Sequence, residues 1–368
     1  MKKLKVAFIC GPCPLKLRQK LTPLASLEEI SEIDIFSRHD IVGSSIPKTR
    51  WISMPQLFGS AHLQELWRLG LIFCKAGNYD LIIGCHQLWH GVWAWAAGKL
   101  WGKPVIQVVM TSTEFILGKS IPKAALMNAS ACAVRGEISA GILRRAGYTA
   151  EIRTLHNLMK LPVEKDQRAI EKTYDLISVA HYMDEKDFPT MFEVLRILSQ
   201  ARPGFKAALV GRGQEHLIGL RREKGLEANL EFLGELKEEE VFELHGRAKA
   251  FLLTSKVEGL PMAVMEAMAS GLPVFVTAAG ELPWLVRDGV DGRILPIGDA
   301  YGIAKAVSSA LETEQTLYSM GENARNRFTE LSTEFTEQSI SKAWTHIINA
   351  ALKKGNDERN IETCHKPQ

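Results

Sequence analysis

The sequence predicts an α/β protein with two doubly wound, Rossmann-like domains, and three observations support this prediction. Short apolar runs rich in β-branched residues recur along the 368 residues, and a longer helical pattern follows many of them. Such alternation is typical of parallel sheets that helices cover on both faces. The runs form two series, and the polar, proline-containing stretch 158–172 separates them. A chain of this length suits two domains of ordinary size.

The first series predicts an N-terminal domain over residues 1–160. It opens with LKVAFIC, a strand that ends at the tetrapeptide CGPC, and continues with YDLIIGC, KPVIQVVM and NASACAV. A tryptophan-rich helical pattern follows YDLIIGC, and its Trp89 and Trp93 have the spacing of residues that face a core. The basic segment KLRQK after CGPC is interpreted as a solvated helix face, with an anionic membrane as the alternative partner.

The second series predicts a C-terminal domain over residues 161–334. Its runs are YDLISVA, FKAALVG, LEFLG, AKAFLLTS, LPVFVT and GRILP. A strong helical pattern at 335–353 is expected to pack back on the first domain, and the polar residues 355–368 are expected to be a disordered tail.

Composition excludes several classes of protein. A net charge of +3 and a pI near 8.4 are too weak a bias to indicate a nucleic-acid partner. The apolar run after MKK is too short for a signal peptide, and no apolar run approaches the length of a membrane span. The six cysteines lack the spacing of a structural zinc site. We therefore expect a cytoplasmic protein with free thiols.

The CGPC tetrapeptide at 10–13 raises one alternative function. It matches the active site of thioredoxin, so a thiol oxidoreductase using Cys10 and Cys13 is a possible interpretation. A thioredoxin-like unit would need its own compact fold, whereas this motif follows the first strand of a much larger α/β domain. The preferred interpretation is that Gly11 lies in a loop facing a ligand cleft and that the thiols have no redox role.

Residues 254–299 carry the most informative chemistry. The strand pattern AKAFLLTS leads into Glu258, and Pro261 suits the first position of the helix that follows. Free amides at that helix start, with the positive end of its dipole, favour a phosphate. Glu266 lies eight residues after Glu258 and within the helix. Two carboxylates at this spacing suit a ligand with hydroxyls at two places and phosphate between them.

The order S-x-x-E-G-L-P-x-x-V-x-E-A-M-A-x-G-x-P-V, followed by A-G and then D-G-x-x-G, identifies a family resemblance. It resembles the donor-site signature of the retaining family-4 glycosyltransferases (glycosyl transferases group 1), which have the GT-B fold. The resemblance covers 172–335 well and 1–160 in outline. It implies two domains that face each other across a cleft, the first binding the acceptor and the second the nucleotide-sugar donor.

The resemblance also implies roles for particular residues. Glu258 would hold hydroxyls of the transferred sugar, Glu266 the ribose hydroxyls, and Lys186 would offset charge on the leaving diphosphate. Glu258 and Lys186 are therefore the candidate catalytic residues. The other candidate donor-binding residues are His181, Gly211, Arg212, Gly213, Leu236, Gly259, Leu260, Pro261, Met262 and Ala263.

The sequence also departs from the family pattern. His181 stands where the family usually has an arginine, and Pro283-Trp284 stands where a glutamate often follows the A-G pair. On the acceptor side, Thr111-Ser112-Thr113 replaces a common histidine, while His86 and His90 are available nearby. The acceptor-side candidates are Gly11, His86 and Ser112.

The resulting hypothesis is a metal-independent, retaining, hexosyltransferase-type enzyme without a cofactor. It would move a sugar from a nucleotide diphosphate sugar to a glycan or lipid-linked acceptor in surface polysaccharide or lipid-linked glycan synthesis. A peripheral contact with the inner membrane face is compatible with this setting, and nucleic acid is not an expected partner. The alternative is a degenerate GT-B protein that binds a nucleotide sugar or a partner without catalysis.

Overall fold

The computed structural model describes residues 3–11, 14–37, 45–52, 61–85, 88–159 and 171–364. The chain divides into two compact units, residues 1–159 with 334–368 and residues 160–333. Each unit contains one parallel sheet with helices between its strands. The predicted α/β class with two doubly wound domains is therefore confirmed.

The sheet of the first unit has, among the described residues, seven strands in the order β3-β2-β1-β4-β5-β6-β7. All its pairings are parallel. The strands are β1 (Leu4–Ile9), β2 (Ile30–Phe36), β3 (Thr49–Trp51), β4 (Leu81–Cys85), β5 (Val105–Val108), β6 (Ala131–Val134) and β7 (Glu151–Thr154). The intervening helices are α1 (Pro14–Ser26), α2 (Ala61–Lys75), α3 (Trp89–Trp101), α4 (Thr113–Leu117), α5 (Ser120–Met127) and α6 (Glu137–Arg145).

Alternate side chains of β1 supply two different core clusters of the first unit. Val6 and Phe8 pack with Leu21 of α1, whereas Ala7 and Ile9 pack with residues of α2 and α3. This alternation is expected of a strand whose two faces are both buried. It places α1 on one side of the sheet, and α2 and α3 on the other.

The second unit repeats this architecture, with the strand order β10-β9-β8-β11-β12-β13. Its strands are β8 (Tyr174–Val179), β9 (Ala207–Val210), β10 (Leu230–Phe232), β11 (Ala248–Leu253), β12 (Val274–Thr277) and β13 (Gly292–Leu295). Its helices are α7 (Phe188–Ala201), α8 (Ile218–Glu223), α9 (Glu238–Gly246), α10 (Met262–Ala269), α11 (Leu282–Leu285), α12 (Ala300–Leu311) and α13 (Glu314–Ser332).

The chain then returns to the first unit as α14 (Glu337–Cys364), which packs against α1 and β5 to β7. Trp344 is fully buried there, and its Nε1 donates to the carbonyl oxygen of Lys20 at 3.1 Å. The return is held by His156, whose Nε2 lies 2.9 Å from Oε2 of Glu334. Burial outweighs this contact and lowers the pKa of His156.

The structure of the first unit shows that three predictions were wrong, concerning the C-terminal tail, the KLRQK segment and Trp89. The tail predicted to be disordered from 355 is helical to Cys364, since α14 continues through Gly355, where an added Cβ would lie 3.1 Å from Cβ of Pro104. Lys20 of KLRQK is buried and donates to the carbonyl oxygen of Leu155 at 3.0 Å, so this lysine is not part of a solvated face. Trp89 is 57% exposed and therefore not core, although it stacks on Trp93.

No helix in the described part of the chain is both long enough and apolar enough to cross a membrane.

Candidate functional site

The strand order of the second unit reverses between β8 and β11, which are hydrogen-bonded neighbours. The connections from these two strands run to opposite sides of the sheet, and ligands of open α/β sheets bind in the crevice that this leaves at the carboxyl ends. Lys186 follows β8, and Glu258 follows β11. The topology therefore brings together two residues that lie 72 positions apart in the sequence.

Lys186 and Glu258 form a close ion pair at this point. The Nζ of Lys186 donates to Oε1 of Glu258 at 2.6 Å. The side chain of Lys186 is 19% exposed and that of Glu258 is 9% exposed. A pair this shielded from water interacts strongly, and it presents a cation and a hydrogen-bond acceptor side by side to a ligand.

Three further contacts hold two segments together, the turn that contains Lys186 and the loop that contains Glu258. The backbone N–H of Lys256 donates to the carbonyl oxygen of Glu185 at 2.7 Å. The hydroxyl Oγ1 of Thr254 donates to the carbonyl oxygen of Lys186 at 3.2 Å. The Nζ of Lys256 also lies 2.9 Å from Oδ1 of the buried Asp187. Asp187 has a φ of 51°, a conformation that aspartate tolerates better than most residues. No motif of the sequence indicates these contacts, because they join segments about 70 residues apart.

Gly280 supports the Glu258 loop from the other side. Its φ is +56°, and a Cβ at this position would lie 2.2 Å from the carbonyl oxygen of Glu258. The next residue, Glu281, donates its backbone N–H to the carbonyl oxygen of Gly259 at 2.9 Å. Only glycine fits such a close approach in this backbone conformation. The glycine of the A-G pair in the sequence signature therefore allows this segment to pack against the backbone of the Glu258 loop.

The start of α10 directly follows the Glu258 loop. Pro261 is the residue before the helix rather than its first residue, which corrects the sequence interpretation by one position. No side chain caps this helix end. The first backbone amides of a helix have no partner within it, and the helix dipole adds positive potential at the same end. Gly259, Leu260, Met262 and Ala263 surround this end of α10, and Leu260 is buried.

Glu266 lies within α10, one turn beyond its start. It is half-buried, and its carboxylate accepts no hydrogen bond from another described residue. The pKa of Glu266 is raised to about 7, mainly by burial and to a smaller extent by the nearby carboxylate of Glu238. A carboxyl group without a partner beside a helix start suits a ligand that offers hydroxyls. Leu236, also half-buried, precedes α9.

The glycine turn after β9 packs on the loop after β8. Gly211 has a φ of +144°, and a Cβ there would lie 2.0 Å from the carbonyl oxygen of Ala180. Gly213 approaches Tyr182 in the same way. The backbone N–H of Arg212 donates to Nδ1 of His181 at 3.1 Å. The exposed guanidinium of Arg212 adjoins this histidine, and its Nε lies 3.4 Å from Oε1 of Glu235.

Trp284, which departs from the family pattern, packs against α13. The guanidinium of Arg327 lies over its ring at 5.8 Å, and Nη2 of Arg327 donates to its carbonyl oxygen at 3.0 Å. The ring is half-buried. Its contacts make Trp284 a packing residue.

The sheet of the first unit has its own reversal, between β1 and β4. Gly11 follows β1, and a Cβ there would lie 2.9 Å from Cε1 of His90. The buried Arg68 donates from Nη1 to the carbonyl oxygen of Cys10 at 3.1 Å. His86, Pro12 and Cys13 lie outside the described residues. The structure thus places His90 beside Gly11 at the switch point of this sheet.

Ser112 has a local structural role as the residue that caps α4. Its Oγ accepts from the backbone N–H of Phe115 at 3.3 Å and donates to Oε2 of Glu114 at 2.7 Å. The Cys10 thiol, the one described member of the CGPC pair, is fully buried. Within the described ranges, no group of three or more histidine, cysteine, aspartate or glutamate side chains is arranged to hold a metal ion.

Comparison with known proteins identifies the second unit. Residues 162–327 match the family of glycosyl transferases group 1. The chain is 27% identical over 222 residues to N-acetyl-alpha-D-glucosaminyl L-malate synthase of Bacillus anthracis, covering 57% of this chain and 56% of that protein. It is 30% identical over 183 residues to the putative colanic acid biosynthesis glycosyltransferase WcaL of Salmonella typhimurium, covering 47% and 44%. The matched segment thus spans about half the length of these relatives.

Two solved structures are similar over nearly the whole chain. Anabaena Alr3699/HepE, solved in complex with UDP and glucose, has a TM-score of 0.74 at 19% identity, covering 94% of this chain and 99% of that one. Sucrose-phosphate synthase from Thermosynechococcus elongatus has a TM-score of 0.74 at 20% identity, covering 98% and 100%. At these identities the likeness shows the fold, and it agrees with the GT-B assignment.

Proposed function

Because residues 162–327 match the family of glycosyl transferases group 1, we propose that the protein transfers a sugar from a nucleotide diphosphate sugar to an acceptor hydroxyl. The observation that carries the proposal is the Lys186–Glu258 pair, which lies at the switch point of the sheet that also bears the uncapped start of α10. The similarity to the putative colanic acid biosynthesis glycosyltransferase WcaL supports a setting in polysaccharide synthesis. The proposed acceptor is a glycan or a lipid-linked glycan.

Each part of the donor meets a complementary part of the site. The diphosphate lies against the first amides of α10 and against Lys186, where positive charge stabilises the negative charge that grows on the leaving group. Glu258 accepts hydrogen bonds from the sugar, and Glu266 accepts them from the ribose. Arg212 supplies a cation beside His181, which stands where the family usually has an arginine.

We propose transfer with retention at the anomeric carbon. The acceptor oxygen bonds to this carbon on the face from which the diphosphate departs. The bond between the carbon and the phosphate oxygen breaks, and its electron pair goes to the diphosphate. The acceptor proton moves to the same leaving phosphate. Lys186 provides the countercharge in this scheme, so neither a metal ion nor a cofactor is required. Gly11, His86 and Ser112 stay the acceptor-side candidates, and we add His90 because it lies beside Gly11.

A panel of nucleotide sugars and nucleoside diphosphates, scored by thermal shift, tests the proposal. We expect one base to raise the melting temperature, and the matching nucleotide sugar to be turned over with a glycan or lipid-linked acceptor. Binding and turnover should both persist in EDTA. A protein that no nucleotide stabilises would contradict the proposal.

The same panel tests the alternative, a protein that binds without catalysis. His181 in place of an arginine motivates this alternative. Stabilisation by a diphosphate nucleotide without turnover of any acceptor, and without hydrolysis of the nucleotide sugar, would favour it.

A further inference from the structure

Helices α2, α3 and α5 form an exposed apolar surface on one side of the first sheet. Helix α2 packs on α3, and α3 packs on α5, so the three helices are neighbours. In the described part of the first unit, every exposed large apolar side chain lies on α2 to α5. We define the Trp–Leu surface by those that lie on α2, α3 and α5, which are Leu66, Trp67, Trp89, Leu100, Trp101 and Ile121.

The orientation of α3 explains why this surface is apolar. Its small residues, among them Gly91, Ala94 and Gly98, are buried against the sheet and the neighbouring helices. Trp89 and Leu100 lie eleven positions apart, which is about three helical turns, so they share one face of the helix roughly 16 Å apart. They are 57% and 65% exposed. A soluble domain rarely exposes so many large apolar residues on adjoining helices without a partner for them.

Lysines border the same surface. Lys99, Lys119 and Lys123 are exposed, and none of them forms an ion pair with a described residue. Lys99 lies over the Trp95 ring at 5.6 Å, and Lys119 over the Phe115 ring at 4.7 Å.

The acidic side chains on these helices are already engaged. Glu65 pairs with the buried Arg68, and Glu114 accepts from Ser112. The Trp–Leu surface is therefore positively charged as well as apolar.

We propose that the Trp–Leu surface docks on a lipid bilayer with anionic headgroups. Tryptophan and leucine enter the boundary between headgroups and acyl chains, and the lysines remain at the level of the phosphates. A second copy of this chain fits the surface poorly, because a symmetric contact would bring the lysines of both copies together. The KLRQK segment is not part of the surface, since Lys20 is buried and α1 lies on the other side of the sheet.

Vesicle flotation without any sugar substrate tests the proposal separately from the transferase function. The full chain is mixed with phosphatidylcholine vesicles that contain or lack phosphatidylglycerol. We expect the protein to float with the anionic vesicles, and binding to weaken by about tenfold between low salt and about 0.5 M NaCl, as screening shortens the reach of the lysines. A protein that floats with neither vesicle overturns the proposal.

A matched pair of variants locates the contact. The variant L66E/L100E/I121E adds three carboxylates to the Trp–Leu surface, and I218E/Y301E/Y318E adds three at exposed apolar positions of the second unit. We expect the first to lose about tenfold or more of its vesicle affinity and the second to keep most of it, because the net charge changes equally in both and only one loses apolar contact. Equal affinities would overturn the proposal.

Two measurements separate the remaining explanations. Brominated lipids should quench the tryptophan fluorescence of the unmodified protein. This measurement does not depend on whether any variant folds. Gel filtration without lipid should give the same elution for the unmodified protein and for L66E/L100E/I121E. An unmodified protein that elutes as a dimer and becomes a monomer in this variant would assign the surface to self-association instead. Absence of quenching in vesicle-bound protein would also overturn the proposal.

Discussion

Lys186 donates a hydrogen bond to Glu258 at 2.6 Å across the switch point of the second sheet. The two residues belong to loops that leave adjacent strands for opposite sides of that sheet. Their meeting depends on a set of backbone contacts, including the bond from Lys256 to Glu185 and the close approach of Gly280.

The ion pair should act as one unit in catalysis. We expect Lys186→Met and Glu258→Gln each to lower kcat by about 10²–10³, because each removes a group that faces charge or hydroxyls in the transition state. The double variant should lose little more than either single variant. Steady-state kinetics with the nucleotide sugar identified by the panel check this, and additive losses would contradict a shared role.

The same three variants should differ in stability as well as in activity. Each single change leaves a largely buried charge without its partner, so it should lower the melting temperature more than the double change does. Thermal unfolding without ligand measures this. A double variant less stable than both single variants would show that the ion pair does not hold the two loops together.

Gly280→Ala should displace the Glu258 loop. A Cβ would fall 2.2 Å from the carbonyl oxygen of Glu258, in addition to the cost of a positive φ. We expect turnover to fall by more than about tenfold, since small misplacements of catalytic groups are costly. Gly225→Ala is the matched control, because it has a φ of +65° with no atom within 4 Å of the added Cβ. Equal losses of turnover in the two variants would show that backbone strain, and not displacement of the Glu258 loop, causes the effect.

Glu266 should make donor binding depend on pH near neutrality. Its pKa is raised to about 7 in the free protein, so it is neutral below this pH and a carboxylate above it. Ribose hydroxyls donate best to the carboxylate, so affinity should rise from pH 6 to 8 and binding should release a proton. Calorimetry in buffers of different ionisation enthalpy detects that proton. Glu266→Gln should abolish both effects, and an unchanged pH profile in this variant would contradict the assignment.

Glu266 should also influence stability in the free protein. For an acid whose folded pKa lies above its unfolded value, the favourable contribution is full below the unfolded pKa and is lost as pH rises through the folded pKa. Relative to Glu266→Gln, the protein should thus lose on the order of 1–3 kcal/mol between about pH 4.5 and 7. Urea unfolding of both proteins across this range measures the difference. Parallel stability curves would show that Glu266 titrates normally.

Trp344 should be the main anchor of α14. It is fully buried, and its indole donates to the carbonyl oxygen of Lys20. We expect Trp344→Ala to destabilise the first unit by about 3–5 kcal/mol and Trp344→Phe by less, because the phenyl ring retains part of the buried volume. Chemical denaturation followed by the tryptophans of the first unit measures both. If the alanine variant loses under about 1 kcal/mol, α14 is not an integral part of the core.

The sequence predicted the two doubly wound sheets because buried parallel strands leave continuous apolar runs such as AKAFLLTS. The family resemblance named Lys186 and Glu258 as candidates, and the structure brings these two side chains into contact. The sequence could not show that Gly280 supports the Glu258 loop or that Lys20 is buried, because both depend on contacts between distant segments. Trp89 and Trp93 have the spacing of core residues, yet the small residues of α3 occupy the core instead.

The most direct test of the central claim is calorimetric titration of the protein with the nucleoside diphosphate that stabilises it. We expect one site per chain in the unmodified protein and an affinity at least about tenfold weaker in Lys186→Ala, because this variant loses a charge-assisted phosphate contact. Lys206→Ala, an exposed lysine at the opposite end of the strands, should bind as tightly as the unmodified protein. Equal affinity in Lys186→Ala and the unmodified protein would contradict the account.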